Sequence, residues 1–370
     1  MYYFKFKDMI LADIEFTGLC FKIERIYKNS VVLPMLRDNK SFNEWVSNRP
    51  TSITRNNAID LFKTAGIKSD SDFVDVTNCL STKDCLWLTK DRDKKWSTVS
   101  LFSNPFNKVF TETARGRQGF SGRMIQTPSP ELTIGGSSLK WCKKYNNGIY
   151  FYKSFGGMAE LEFSGCYSEY FASQFCKYLG VSHADYRLSK VDNKICSVTK
   201  CFTSESSSSI YVGELVDDAI HLDEHIRHYN NKLLVDFKNM MVIDCLLFNV
   251  DRHDENISLL YDSNLNITGL APMYDFDHSL FYDLSLINRS GEYIFEKLRS
   301  YVPKTYNNHT FDEQFKMCIT RDMYLRLKTA LVEFEFVNSD KYPLSRGRLE
   351  GINRLFKWNL ARLLAMIGGS

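Results

Sequence analysis

The chain has 370 residues, 44% hydrophobic and 25% charged, which are ordinary globular proportions with enough length for two domains or one large two-lobed one. Its 47 basic and 44 acidic residues leave a formal charge of +3, which gives no electrostatic argument for a nucleic-acid-coating protein, where a basic stripe would be expected. Ten scattered cysteines without a CxxC pair, an N-terminus without an apolar signal region and no run near ~18 apolar residues imply reduced thiols, a cytoplasmic location and no membrane span.

In chain order, residues 1–33 alternate in strand fashion, as in Met9–Phe16 and at 31–33. Residues 55–66 read as a helix with Gly66 as its stop. Trp87, Trp96, Phe102 and Phe106 are expected to anchor a small core. Residues 111–136 are rich in Gly, Ser, Thr and Pro and read as a linker running into a loop, with a boundary near 111–125. A strand follows at 148–153, then a helix at 164–179 stopped by Gly180. Strands are expected at 186–189 and 194–202, and a flexible polar loop at 203–209. A helix at 231–249 leads into NVDRHDEN, followed by strands at 257–261 and 267–270. From about 310 the pattern is helical, and Ile352, Leu355, Phe356, Leu360, Leu363 and Leu364 mark an amphipathic closing helix.

Phosphoryl transfer needs few protein parts: a carboxylate for the attacking hydroxyl, hard oxygens for Mg²⁺, a lysine on the phosphates with a glutamate to hold it, and a glycine-rich cover. Asp251 and Asn256 are five apart, the Asp-to-Asn spacing of a kinase catalytic loop. Asp275 follows 19 residues later, and a hairpin of that length can return a second carboxylate to the first. Lys153 ends a strand, Glu169 sits in the next helix, and Gly135, Gly136, Ser137 and Ser138 form a loop suited to covering phosphates. Each part alone has a bland reading as a loop, a turn or a solvated charge. Their occurrence together and in order supports the site.

NVDRHDENISLL followed by LAPMYDFDHSL resembles the HipA-type bacterial serine/threonine kinases, with support from SPELTIGGSSLKW, YFYK, YSEYFASQFCKYLGVSHADYRL and VTKCF. The resemblance covers about residues 125–300. Residues 1–110 look like the N-terminal part of a Firmicute-type branch. It implies an α+β, two-lobed kinase-like fold, with an N-terminal accessory α/β domain over 1–115, an N-lobe with the phosphate loop over 116–202 and a mostly helical C-lobe over 203–370. It further implies ATP and Mg²⁺ as cofactors. Asp251 would be the catalytic base, and Asn256 and Asp275 the Mg²⁺ ligands. His253 would lie beside the transferred phosphate or brace the loop. Lys153 would contact the α/β-phosphates and pair with Glu169, and the backbone of Lys200, Cys201 and Phe202 would receive adenine. Ser137 or Ser138 would be the autophosphorylated serine. The loop departs from the family in ending Leu139-Lys140.

The leading reading is therefore a protein serine/threonine kinase acting on an unidentified protein, with an antitoxin or regulator as partner and no direct contact with membrane or nucleic acid. A lipid or small-molecule kinase on the same fold is the second reading. A non-catalytic pseudokinase acting through partners is the third. His221, His225 and His228 have helical spacing but read as a solvated face, since no fourth metal ligand is apparent.

Overall fold

Alternating apolar residues at the N-terminus build strands, as the pattern predicts. β1 (Tyr2–Phe6), β2 (Met9–Phe16) and β3 (Phe21–Ile26) join β4 (Leu86–Thr89) in an antiparallel sheet of order β3-β2-β1-β4. Phe4 meets Phe42 and Trp45 of α1 (Asn39–Ser47) with ring centroids 5.3 and 5.0 Å apart, and such edge-on pairs add ~0.5–1.5 kcal/mol to area burial. The structure is a computed structural model that describes residues 1–55, 57–117, 127–136, 138–154, 159–216, 222–280, 297, 300–306 and 308–368; of 159–164, 222, 225 and 228 it describes the backbone.

The chain forms two compact units. The first is Met1–Lys153 with Lys200–Ile210 and Leu260–Thr268; the second is Ser154–Thr199 with Tyr211–Leu259 and Gly269–Ser370. In the first unit, the strand expected at 31–33 is a turn instead. Val32 and Leu33 are buried, but Pro34 opens a short 3₁₀ turn, because its ring fixes φ and removes the ladder donor. The next elements are α2 (Ala58–Ala65), stopped by Gly66 at φ 73°, and α3 (Asp70–Thr77), capped by Ser69. Trp87 and Trp96 are buried against each other, as expected.

The supposed linker is more structured than its composition suggests. α4 (Lys108–Ala114) runs into it, and Ser129, Glu131 and Leu132 are buried. Thr111 Oγ1 and Ser129 Oγ both donate to the Glu131 carboxylate. Residues 118–126 lie outside the described residues. β5 (Leu139–Tyr145) and β6 (Gly148–Ser154) are neighbours in a sheet. Phe102 and Phe106 pack on Ile134, Cys142 and Ile149. The stretch 203–209, expected to be a flexible loop, is ordered as well. Glu205 Oε1 accepts from Trp96 Nε1 at 3.2 Å, from Ser100 Oγ at 2.6 Å and from Ser103 Oγ at 2.5 Å. Ser208 and Ser209 are buried at the start of a strand.

In the second unit, α5 (Ala159–Tyr178) ends before Gly180 at φ 65°. β7 (Tyr186–Val191) and β8 (Lys194–Lys200) pair antiparallel. β9 (Ser208–Tyr211) lies mostly in the first unit, and α6 (Leu222–Tyr229) and α7 (Asn231–Leu247) follow in the second. β10 (Ser258–Tyr261) and β11 (Ile267–Leu270) are neighbours in one sheet, with Leu260–Thr268 counted in the first unit. The chain closes with α8 (Phe311–Cys318), α9 (Arg321–Glu333) and α10 (Arg346–Gly368). α10 buries the predicted stripe of Ile352, Leu355, Phe356, Leu360, Leu363 and Leu364. All ten cysteines are free thiols. Among the described residues no helix is long and apolar enough to cross a membrane.

Candidate active site

The site in the second unit begins with how α7 stops. The helix ends at Leu247 because Phe248 takes φ 50° and returns its N–H to the Asp244 carbonyl, which turns the chain sharply into 249–256. Asp244 is a carboxylate on a buried helix face, 1% exposed. Its Oδ1 accepts from Asn249 Nδ2 at 2.8 Å and from Arg252 Nη2 at 3.2 Å, and its Oδ2 from Arg252 Nε at 2.9 Å. Arg252 Nη1 donates to the carbonyls of Asn256 at 3.1 Å and Tyr274 at 2.5 Å. One buried guanidinium thus ties helix, loop and the turn before Asp275. Burial alone would lower the Arg252 pKa, but the Asp244 carboxylate outweighs it and holds the value above the ordinary one. The planar fork of arginine supplies this geometry, which lysine cannot.

Asp251 and Asn256 are joined through that loop. Asn256 Nδ2 donates to the Asp251 carbonyl at 2.9 Å, which turns the amide oxygen Oδ1 the other way. The Asp251 side chain is 23% exposed and its Oδ1 is ion-paired with Lys304 Nζ. Its Oδ2 lies 3.9 Å from His253 Nε2 and 3.8 Å from His278 Nδ1. Asp275 sits at φ 58°, a left-handed conformation that costs a residue with a Cβ ~1–2 kcal/mol and that clusters at functional sites. Its N–H donates to Tyr186 Oη at 3.1 Å. Beyond it, Val250 and Leu280 donate to the carbonyls of His278 and Leu247 at 3.3 and 2.7 Å, and Ser168 Oγ of α5 donates to Ser279 O at 2.7 Å.

The ligand atoms of Asp251, Asp277 and His278 lie within 4.8 Å of one another. Asp275, expected to be a metal ligand with Asn256, is not one of that trio. Two carboxylates here, with the Asn256 amide oxygen and the Asp275 carboxylate in the same loops, are the hard oxygen donors that Mg²⁺ takes. The imidazole is a softer addition, and His278 Nδ1 is 2.7 Å from Asp277 Oδ1.

The other predicted residues divide between the units. Glu169 is not a solvated helix residue: it is 1% exposed and accepts from Ser197 Oγ. Lys153 is 7% exposed, so it is not a solvated strand-edge charge either. Lys153 belongs to the first unit and Glu169 to the second. Within the first unit, Gly136 adopts φ +87°, and a Cβ there would lie 2.4 Å from Lys140 Nζ. Gly135 is exposed and Ser138 half-buried; Ser137 lies outside the described residues, as do His221 and the side chains of His225 and His228. Arg55, 2% exposed, donates to the carbonyls of Glu131 and Ile134 before this loop and Lys140 after it. Burial lowers the Arg55 pKa to about 10, against the opposing pull of Glu131. Cys201 gives its N–H to the Ile149 carbonyl at 2.8 Å.

The sequence reading gave no role in the site to Asp244, Arg252, Asp277, His278, Lys304 or Arg55. Asp244 carried a signal, being a charge on an apolar helix face, and Asp277-His278 directly follow Asp275. Lys304 and Arg55 carried none, since each meets its partners across a long stretch of chain.

No family model matches the chain. The serine/threonine-protein kinase CtkA of Helicobacter pylori is 28% identical over 168 residues, 40% of this chain and 52% of that protein. The chain therefore matches about half the length of this curated relative. HipA of Shewanella oneidensis MR-1, solved with HipB and operator DNA, matches over 99% of this chain and 97% of its own, with a TM-score of 0.55 at 10% identity. This is a HipA-like kinase fold. A crystal structure of the H. pylori proinflammatory kinase CtkA matches over 64% of this chain and 92% of its own, with a TM-score of 0.48 at 19% identity. The α+β, kinase-like architecture expected from the sequence is the observed HipA-like one.

Proposed function

We propose that this HipA-like chain is a serine/threonine protein kinase that transfers the γ-phosphate of MgATP to a protein hydroxyl. The observation that supports the reading is the single Arg252 guanidinium bonded to the Asn256 and Tyr274 carbonyls, which ties the loop that carries Asp251 and Asn256 to the residue before Asp275. Asp251 takes the proton of the acceptor hydroxyl at Oδ2, the oxygen not paired with Lys304. Asn256 and Asp275 hold Mg²⁺, with Asp277 beside them. Held there, Mg²⁺ would supply positive charge to offset the negative charge of the phosphates. His253 braces the loop on the Asp251 side. In the first unit, Gly135, Gly136, Ser137 and Ser138 cover the phosphates, and the backbone about Lys200 and Phe202 receives adenine. Lys153 contacts the α/β-phosphates with Glu169 as its counter-charge. Ser137 or Ser138 is the autophosphorylation site, and 1–115 is an accessory domain.

The test is labelled ATP and Mg²⁺ with the full chain, alone and with candidate proteins. Asp251→Asn should lose at least about 10²-fold in turnover while still binding nucleotide. A wild-type chain that neither binds nucleotide nor transfers phosphate refutes the reading. Transfer to lipid vesicles but not to proteins moves the assignment to a lipid kinase. HipA was solved with HipB, so we further propose an antitoxin-like protein partner and a toxin role, tested by co-expression with the neighbouring reading frame and scored by growth arrest and its relief.

A further inference from the structure

The site holds one cation for which the residues above leave a role open. Asp251, Asp254, Glu255, Asp275 and Asp277 crowd carboxylates into one loop pair, and such a surface repels a phosphate. Arg252 cannot offset this, because its Nε, Nη1 and Nη2 are all bonded inside and it is 1% exposed. Among the described residues, the basic groups within 4 Å of the Asp251 carboxylate are Lys304 and the imidazoles of His253 and His278. Lys304 is the one ammonium of the three, with three donors and no acceptor.

Its placement is built rather than incidental. Pro303 and Thr305 on either side are buried, and Thr305 Oγ1 donates to the Arg252 carbonyl at 2.5 Å. Lys304 itself is 55% exposed, so the ammonium reaches Asp251 Oδ1 with one donor and keeps others open to solvent. An ordinary surface ion pair has no such anchor on the loop it touches.

Resting on the kinase reading, we propose that Lys304 is a catalytic residue that contacts the terminal phosphoryl group of the bound nucleotide triphosphate, bridging it to Asp251. In the transfer, the acceptor oxygen bonds to the γ-phosphorus as the bond from that phosphorus to the bridging oxygen of ADP breaks. The hydroxyl proton passes to Asp251 Oδ2. Lys304 keeps its three protons and supplies charge to the phosphoryl oxygens as they pass between the two oxygens.

The experiment compares wild type, Lys304→Met and Lys304→Arg in the full chain, titrating ADP and a non-hydrolysable ATP analogue with Mg²⁺ by calorimetry. A charge-assisted contact to the terminal phosphate predicts that Lys304→Met loses about 10- to 100-fold in affinity for the triphosphate. Its affinity for ADP should stay within about threefold, since ADP lacks that group. Lys304→Arg should recover most of the difference, and turnover of Lys304→Met should fall at unchanged acceptor KM. A half-exposed side chain leaves the fold intact, checked by a melting temperature within a few degrees of wild type. Equal loss for both nucleotides, or wild-type triphosphate binding and turnover in Lys304→Met, overturns the assignment while the kinase reading stands. A wild type that binds neither nucleotide overturns the kinase reading, and this assignment with it.

Discussion

Replacing Arg252 with Met separates what holds the loop from what holds the fold. The change leaves the Asp244 carboxylate 1% exposed with Asn249 as its remaining partner, and it strips the Asn256 and Tyr274 carbonyls of their donor. Breaking a buried pair by removing one member costs ~3–5 kcal/mol. Against a total stability of ~5–15 kcal/mol, and at ~2–4 °C per kcal/mol for a unit of this size, the melting temperature should fall by roughly 6–20 °C. Adding Asp244→Asn neutralises the stranded charge while its amide oxygen still accepts from Asn249. The double variant should therefore regain most of the lost stability. It should not regain phosphotransfer, because nothing replaces the bonds that fix Asn256 and the turn before Asp275. Differential scanning calorimetry and a phosphotransfer assay on the same preparations read the two effects. A single variant that melts within about 1 °C of wild type would show that the pair contributes little. A double variant with full activity would refute the positioning argument outright.

Asp275→Asn keeps a residue that tolerates the left-handed region but removes the charge, so melting should stay level or rise slightly while turnover falls by at least about 10²-fold. Gly136→Ala forces a Cβ into φ +87° and toward Lys140 Nζ; urea titration should show a loss of ~1–2 kcal/mol, and the KM for ATP should rise several-fold with kcat changed less. Glu205 should make the first unit acid-sensitive. Its burial pushes the carboxyl up, but Ser100, Ser103 and Trp96 together hold it below the ordinary value. A depressed carboxylate contributes stability that is fully present above the unfolded pKa of ~4.3 and is lost as pH falls through the folded value. Glu205→Gln should flatten that limb in melting curves taken below about pH 5, and an unchanged limb would place the sensitivity elsewhere.

What the sequence made legible was local. The stripe of α10, the Gly66 and Gly180 stops and the delivery of α7 into 249–256 depend on spacings of a few residues. The spacing of Asp251, Asn256 and Asp275 is likewise written in a short stretch. Long-range partners were not legible. Lys304 reaches Asp251 across 53 residues, and Arg55 reaches Lys140 across 85; no periodicity encodes such pairs. Polar composition misled where polar groups were bonded inside. The buried Ser208 and Ser209 and the buried Glu131 looked like loop and linker because hydropathy cannot see a satisfied hydroxyl or carboxylate. At 31–33 the expected strand is absent because Pro34 decided the backbone, although Val32 and Leu33 are buried.

The Arg252 hub also bears on how this motif should be read in other chains. On the proposed kinase reading, a descendant relieved of phosphotransfer would be free to change Asp251, whose side chain is partly exposed and whose removal strands no buried charge. It could not shed Arg252 without also neutralising Asp244. In a decaying copy the arginine would outlast the aspartate, so the arginine marks ancestry of the fold and only its neighbour marks a working enzyme.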